Sequence, residues 1–204
     1  MNENEEYIAD AIHKQVWSGF HTHDDIDQMI EDILEDDCDA EQLHSLVGPA
    51  LRAKGLAERS WPQVTECDRL DAVFRALHAS GICALANAGF TMSDGFTDVA
   101  EVLAVAPPGH YNGFCFYHGQ DVDRAVDNEG LMLAFGDVDD DAEKTAQVGE
   151  RVAGALRSAG FPVEWNGSIK TRISIPVFDW KRRLAPSEAP TMEVMHAYWS
   201  TQGR

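Results

Sequence analysis

The spacing of apolar residues changes at Ser60-Trp61-Pro62, and that change constrains the fold more than any other feature of the sequence. Ahead of it the apolar residues recur only at the helical period. Behind it helical stretches alternate with short apolar runs, the grammar of a sheet covered by helices. Before the joint, Tyr7, Ile8, Ala11, Ile12 and Val16 predict an amphipathic helix over residues 5–17. Asp24 or Asp25 is positioned to cap a second helix, with Ile26, Met29, Ile30 and Ile33 on its buried stripe. Residues 40–57 predict a third, with Leu43, Leu46, Val47 and Leu51 inward and Pro49 expected to kink or split it.

Beyond the joint, Thr65 is set to cap a helix that buries Leu70, Val73, Phe74 and Leu77 and stops at Gly81. Strands are expected over residues 82–86, 114–118 and 131–135. Helices are expected from Ser93 or Thr97 to about Ala104, from Asp121 to Val126, and over 141–159. Asn166-Gly167 lies between two alternating segments, which predicts a tight hairpin whose two turn residues both take positive φ. In its second arm Ile169, Thr171, Ile173 and Ile175 share one face, and Lys170 and Arg172 the other. The expected fold is α+β or α/β: a small mixed sheet of about five strands with a C-terminal β-hairpin, covered by helices. The expected organisation is a helical segment over 1–60, an α/β domain over 61–184, and a tail or docked helix over 185–204, where Met192, Met195 and Trp199 lie near helical spacing.

The net charge of −19 is unevenly spread: residues 1–50 carry 14 acids against one base, residues 151–204 four acids against eight bases. An acidic surface repels phosphate backbones, so no nucleic-acid partner is expected. Lys181-Arg182-Arg183 reads instead as a counterweight to the acidic helices. No apolar run approaches the roughly 18 residues of a membrane span, so no membrane association is expected. The polar, acidic start lacks the basic opening of a signal peptide. With four widely spaced cysteines read as free thiols, the expected location is the cytoplasm.

Certain segments carry a resemblance. They are Asn87-Ala88-Gly89-Phe90, Ser93-Asp94-Gly95, the run Gly113 to Asp121 containing Phe116-Tyr117-His118-Gly119-Gln120-Asp121, Leu133-Ala134-Phe135-Gly136, Val163 to Gly167, and Trp180. On these the stretch from Asp68 to Trp180 resembles an uncharacterised bacterial domain-of-unknown-function family. The resemblance implies no activity, and the N-terminal helices look less family-like.

The candidate chemistry sits where the strands end, since ligands of α/β sheets gather beyond the carboxyl ends of strands. Asn87, Ser93 and Asp94 follow the first strand, His118, Gln120 and Asp121 the second, and Asp137 the third. If these strands run parallel, Asn87, Asp94, His118 and Gln120 line one pocket, with His118 a base near neutrality. The plainer reading makes Asp121 a helix cap and ties His118 to nearby backbone. Cysteine catalysis is disfavoured: alternation turns Cys115 away from His118, Cys83 sits in an apolar run, and acids surround Cys38. Asp137, Asp139 and Asp141 copy the opening of a calcium loop. However, Ala142 stands where that loop needs glycine and Val148 where it needs glutamate. His21 and His23 read as a surface linker rather than half a zinc site. No phosphate-binding glycine motif occurs, so no cofactor is expected. Two readings follow: a non-catalytic binding or protein-interaction domain with a protein or small-molecule partner, or a small-molecule enzyme using His118 with a nearby carboxylate. Catalysis and oligomeric state are left undecided by the sequence.

Overall fold

The structure, a computed structural model, describes residues 1–184 and 189–202. The chain divides into two compact units. Residues 1–65 and 180–184 belong to the first. Residues 66–179 and 189–202 belong to the second.

The first unit holds α1 (Glu3–Ser18), α2 (His23–Ile33) and α3 (Ala40–Glu58). Asn2, Thr22 and Asp39 cap them, each accepting a backbone N–H of the first turn. Thr22 takes the capping position expected of Asp24 or Asp25, because its own N–H is answered by the Asp25 carboxylate at 2.8 Å in a capping box. Ile8, Ile12, Val16, Ile26, Ile30, Leu43 and Val47 form the core at the predicted spacing. Pro49 does not split α3, which runs unbroken past it. Lys54 is buried there and donates to the Val16 carbonyl at 3.0 Å. Arg182 lies over the Phe20 ring at 4.5 Å, and Trp180 donates to the Ser18 carbonyl at 3.1 Å.

The second unit runs α4 (Glu66–Ala79), β1 (Ile82–Leu85), α5 (Met92–Val105), β2 (Gly113–Phe116), α6 (Gly119–Val126), β3 (Leu131–Asp137), α7 (Ala142–Ser158), β4 (Ile173–Ile175) and α8 (Met192–Gln202). The sheet order is β1-β2-β3-β4. Only β1 and β2 are parallel, joined through α5; β3 and β4 are each antiparallel to their neighbours. The fold is therefore mixed α+β, with four strands among the described residues rather than five. One face carries α7, with Val148 against Gly113. The other carries α5 and α8, whose Val99, Val102 and Met195 close over Cys83, Leu85 and Phe116.

The missing strand belongs to the expected hairpin. Glu164 and Ser174 exchange both backbone hydrogen bonds at 2.9 and 3.0 Å, so the flanks do pair antiparallel. That register leaves residues 165–172 as a wide loop. Gly167 takes φ +80°, but Asn166 is not among the positive-φ residues, so the two-residue turn does not form. Asn166 Oδ1 instead accepts from the Ser168 N–H at 3.0 Å and the Thr171 hydroxyl at 2.9 Å, and this side-chain turn widens the loop. Ile169 and Thr171 are exposed, while Ile173 and Ile175 are fully buried in β4. Of the tail expected over 185–204, residues 185–188 and 203–204 lie outside the described residues, and α8 is a helix with Met195 in the core.

Candidate functional site

Because β1 and β2 are parallel, their carboxyl ends carry the N-termini of α5 and α6 side by side. The motif residues meet there. Gly119 and Gln120 donate backbone hydrogen bonds to the carbonyls of Gly89 and Phe90 at 2.9 and 3.1 Å. A β-carbon on Gly119 would run into the Phe90 ring, and one on Gly95 into the Phe116 ring, so a side chain at either position would force that ring to shift. Asp137 is absent from this group. β3 runs antiparallel to β2, which puts Asp137 opposite Gly113, at the other end of the sheet. There its Oδ2 accepts from the N–H groups of Asp139 and Asp141, and Asp141 caps α7.

The other predicted residues divide by how they are engaged. Asp94 accepts from the Thr91 N–H and hydroxyl, both at 2.9 Å, as the capping box of α5. These bonds hold its carboxyl below its usual range. Asn87 sits at φ +50° in the turn after β1. Its side chain and those of Ser93 and Gln120 make no hydrogen bond among the described residues. His118 stands at the capping position of α6, the place expected of Asp121, and Asp121 sits three residues on. The two are buried, at 4% and 1% exposure.

A residue the sequence reading left aside closes this pair. Arg172 Nη1 donates to both Asp121 carboxylate oxygens at 2.9 Å and lies 3.3 Å from His118 Nε2, which itself stands 3.2 Å from Asp121 Oδ2. Burial first, then the guanidinium, lowers the His118 pKa against the pull of Asp121 and Asp94. Burial raises the Asp121 carboxyl, and Arg172 and His118 oppose that. His118 Nε2 thus faces a donor, the Arg172 guanidinium, and an acceptor, the Asp121 carboxylate. Nδ1 is buried without a hydrogen-bond partner. His118 is thus within reach of a carboxylate but is not exposed, as a base serving a substrate would be.

A second histidine-centred site lies toward the amino ends of the same strands. His78 Nε2 donates to the Ala84 carbonyl at 2.7 Å, so its Nδ1 accepts from the Tyr111 hydroxyl at 2.8 Å. That hydroxyl accepts in turn from Trp199 Nε1 at 2.9 Å. Burial pushes the His78 pKa down to about 4. Beside this chain opens a cleft of about 310 Å³ lined by Arg75, His78, His110, Tyr111, Tyr198 and Trp199 together with Ala79, Val194 and Met195. His110 packs edge-on against Tyr111 and Trp199, with ring centres 4.6 and 4.5 Å apart. No local motif announced this site, because its walls come from α4, the loop before β2 and α8.

The thiols take no part in either place: burial pushes Cys83 up to about 12 and Cys115 upward as well, and Cys38 is raised too. No group of three or more histidine, cysteine or acidic side chains suited to a metal occurs among the described residues. No described helix is long and apolar enough to cross a membrane.

A family model matches residues 1–184. The chain belongs to the family Domain of unknown function (DUF6891). The DUF6891 match starts at residue 1, so it takes in the N-terminal helices that looked less family-like, and it ends before α8. No curated protein matches the chain, and no solved structure does.

Proposed function

We propose that the chain is a non-catalytic binding module for a small molecule, taken into the cleft between α4 and α8. The observation that carries this reading is the cleft itself: a concavity of about 310 Å³ with Tyr111, Tyr198 and Trp199, two histidines and apolar Met195, Val194 and Ala79 in its walls. Ligand pockets combine concavity, apolar walls and a few polar groups, and run from roughly 300 Å³ upward. The strand-end cluster offers less, since Asp94 is spent on a helix cap and Asp121 on Arg172. The probe is 1-anilinonaphthalene-8-sulfonate, which fluoresces in apolar sites. Saturable one-site binding that disappears in Ala79→Trp, a substitution that fills the cleft from an exposed helix position, is the expected result. Equal binding by wild type and variant overturns it.

One observation favours the enzymatic alternative, the unpartnered Nδ1 of His118. His118→Asn distinguishes the two. In the binding reading it costs about 1–3 kcal/mol, the usual range for disturbing a buried polar group, and leaves the probe bound. A variant of unchanged stability that no longer binds the probe favours the alternative.

A further inference from the structure

We propose that the ligand of this cleft is a planar aromatic ring system, of about the size of a bicycle, carrying one hydrogen-bonding group on its edge. The inference rests on the binding reading above and names the chemical class it implies.

Three features of the walls lead to it. The first is size. A concavity of about 310 Å³ lies at the small end of ligand pockets, which suits a fused pair of rings better than a dinucleotide. The second is shape and electronics. His110 and Trp199 cross at 64°, Tyr198 and Trp199 at 77°, and Tyr111 and Trp199 at 85°. These edge-to-face contacts join four rings into one aromatic wall of the cleft. A planar aromatic guest gains contacts there, beyond its buried area, that a puckered saturated guest of equal volume does not.

The third is the state of the polar groups. The Tyr111 hydroxyl donates to His78 and accepts from Trp199, and His78 spends its remaining N–H on Ala84. These groups hold the walls in place and have little left for a ligand. His110 differs. It is exposed, its ring touches Tyr111 and Trp199, and its ring nitrogens make no hydrogen bond among the described residues. An imidazole fixed by its neighbours at the mouth of an aromatic cleft offers one donor or acceptor to the edge of the guest. With the Arg75 guanidinium and Tyr198 also at the wall, the cleft favours a ring with a hydrogen-bonding group on its edge over a purely hydrocarbon ligand.

The test uses the full chain and a matched pair of probes, 2-naphthol and its saturated counterpart decahydro-2-naphthol, titrated calorimetrically against wild type and His110→Leu. His110 lies in a loop and its side chain bonds nothing within the fold, so the variant should fold as the wild type does; circular dichroism and the melting temperature check this. The expected result is 2-naphthol bound about tenfold more tightly than the saturated alcohol. In His110→Leu both alcohols should bind several-fold more weakly, because both carry the edge hydroxyl. Equal affinity for the two probes, both lost in Ala79→Trp, overturns the aromatic assignment while the binding reading stands. Tighter binding of decanoate than of 2-naphthol also overturns it, in favour of an acyl chain. Unchanged affinity for both alcohols in His110→Leu overturns the edge-group assignment. Failure of every probe, the anilinonaphthalene dye included, removes the binding reading itself.

Discussion

The second unit carries two histidine centres that solve the burial of an imidazole in opposite ways. His78 is sealed by neutral hydrogen bonds, with each partner's donor meeting an acceptor from Ala84 through Tyr111 to Trp199. His118 is sealed by a charged pair, with one ring nitrogen left unpartnered. The neutral chain props open an aromatic cleft. The charged cluster closes the strand ends, where the chemistry-bearing motif lies. The comparison teaches that residue types suited to catalysis and a concavity suited to a ligand need not coincide. In a buried polar network it is the degree of satisfaction that separates scaffold from site.

The comparison breaks most visibly at Arg172. Removing it leaves the Asp121 carboxylate buried at 1% exposure without its cation. We expect Arg172→Leu to lower the unfolding free energy by about 3–4 kcal/mol in urea titrations, toward the low end for a broken buried pair, since Arg172 keeps a quarter of its side chain in solvent. Arg172→Leu combined with Asp121→Asn should recover part of that loss. Two effects that simply add would show the pair is not coupled.

His78 should govern acid sensitivity with a smaller total effect. Its pKa falls from an unfolded value near 6.5 to about 4 in the fold. Between those limits the unfolded chain takes up a proton that the folded chain refuses, so stability is lost as pH falls from 6.5 to 4. At 1.36 kcal/mol per pH unit the loss is about 3 kcal/mol. Urea midpoints of wild type and His78→Gln at pH 7 and pH 4 isolate it. The wild type should fall by that much more than the variant, and equal falls would remove His78 as the cause. Next in size is Tyr111→Phe, which strips the acceptor from Trp199 and the donor from His78. We expect it to cost about 1–2 kcal/mol in stability and to weaken cleft binding.

These centres were unequally legible in the sequence. Caps, apolar stripes and glycine stops are local, so helices such as α4 and α7 were readable to within a few residues. The strand-end motif was readable because one segment each supplies its parts and a parallel β1–β2 pair juxtaposes them. Asp137 was misassigned because strand direction is a property of pairing, which no single segment records. Arg172 was hidden for a related reason. Alternation set it on the face away from Ile173, but only the register Glu164↔Ser174 brings it to Asp121. The Asn166-Gly167 signal was real as a turn and wrong as a hairpin, since the Asn166 side chain competed with the strand ladder. The cleft was the least legible of all. Tyr111, His78 and Trp199 stand far apart in the chain, and each alone looks like ordinary core.

The smallest expected effect comes from the first unit, where a third histidine supplies the contrary case. His44 Nδ1 lies 2.7 Å from Asp27 and its Nε2 2.9 Å from Glu31, so both nitrogens face carboxylates. The hydrogen bond to Asp27, ahead of that to Glu31, raises its pKa against a modest loss of hydration. The sign is opposite to that of His78. The folded state holds the proton more tightly, so the stabilisation is fully present below pH 6.5 and is lost as pH rises through the folded-state pKa. The ring is about 30% exposed and its partners more so, which limits the contribution to roughly 0.5 kcal/mol through screening. His44→Gln should therefore flatten a small decline in stability between pH 6 and pH 8 and leave the acid limb below pH 6 unaltered in shape. The difference should shrink in 1 M salt, where the Debye length falls to about 3 Å. Measured side by side with His78→Gln, it separates burial from charge as the cause of a shifted histidine. If both variants changed the same limb, one cause would act on both histidines, and His78 and His44 would not differ as a ring sealed neutral and a ring held charged.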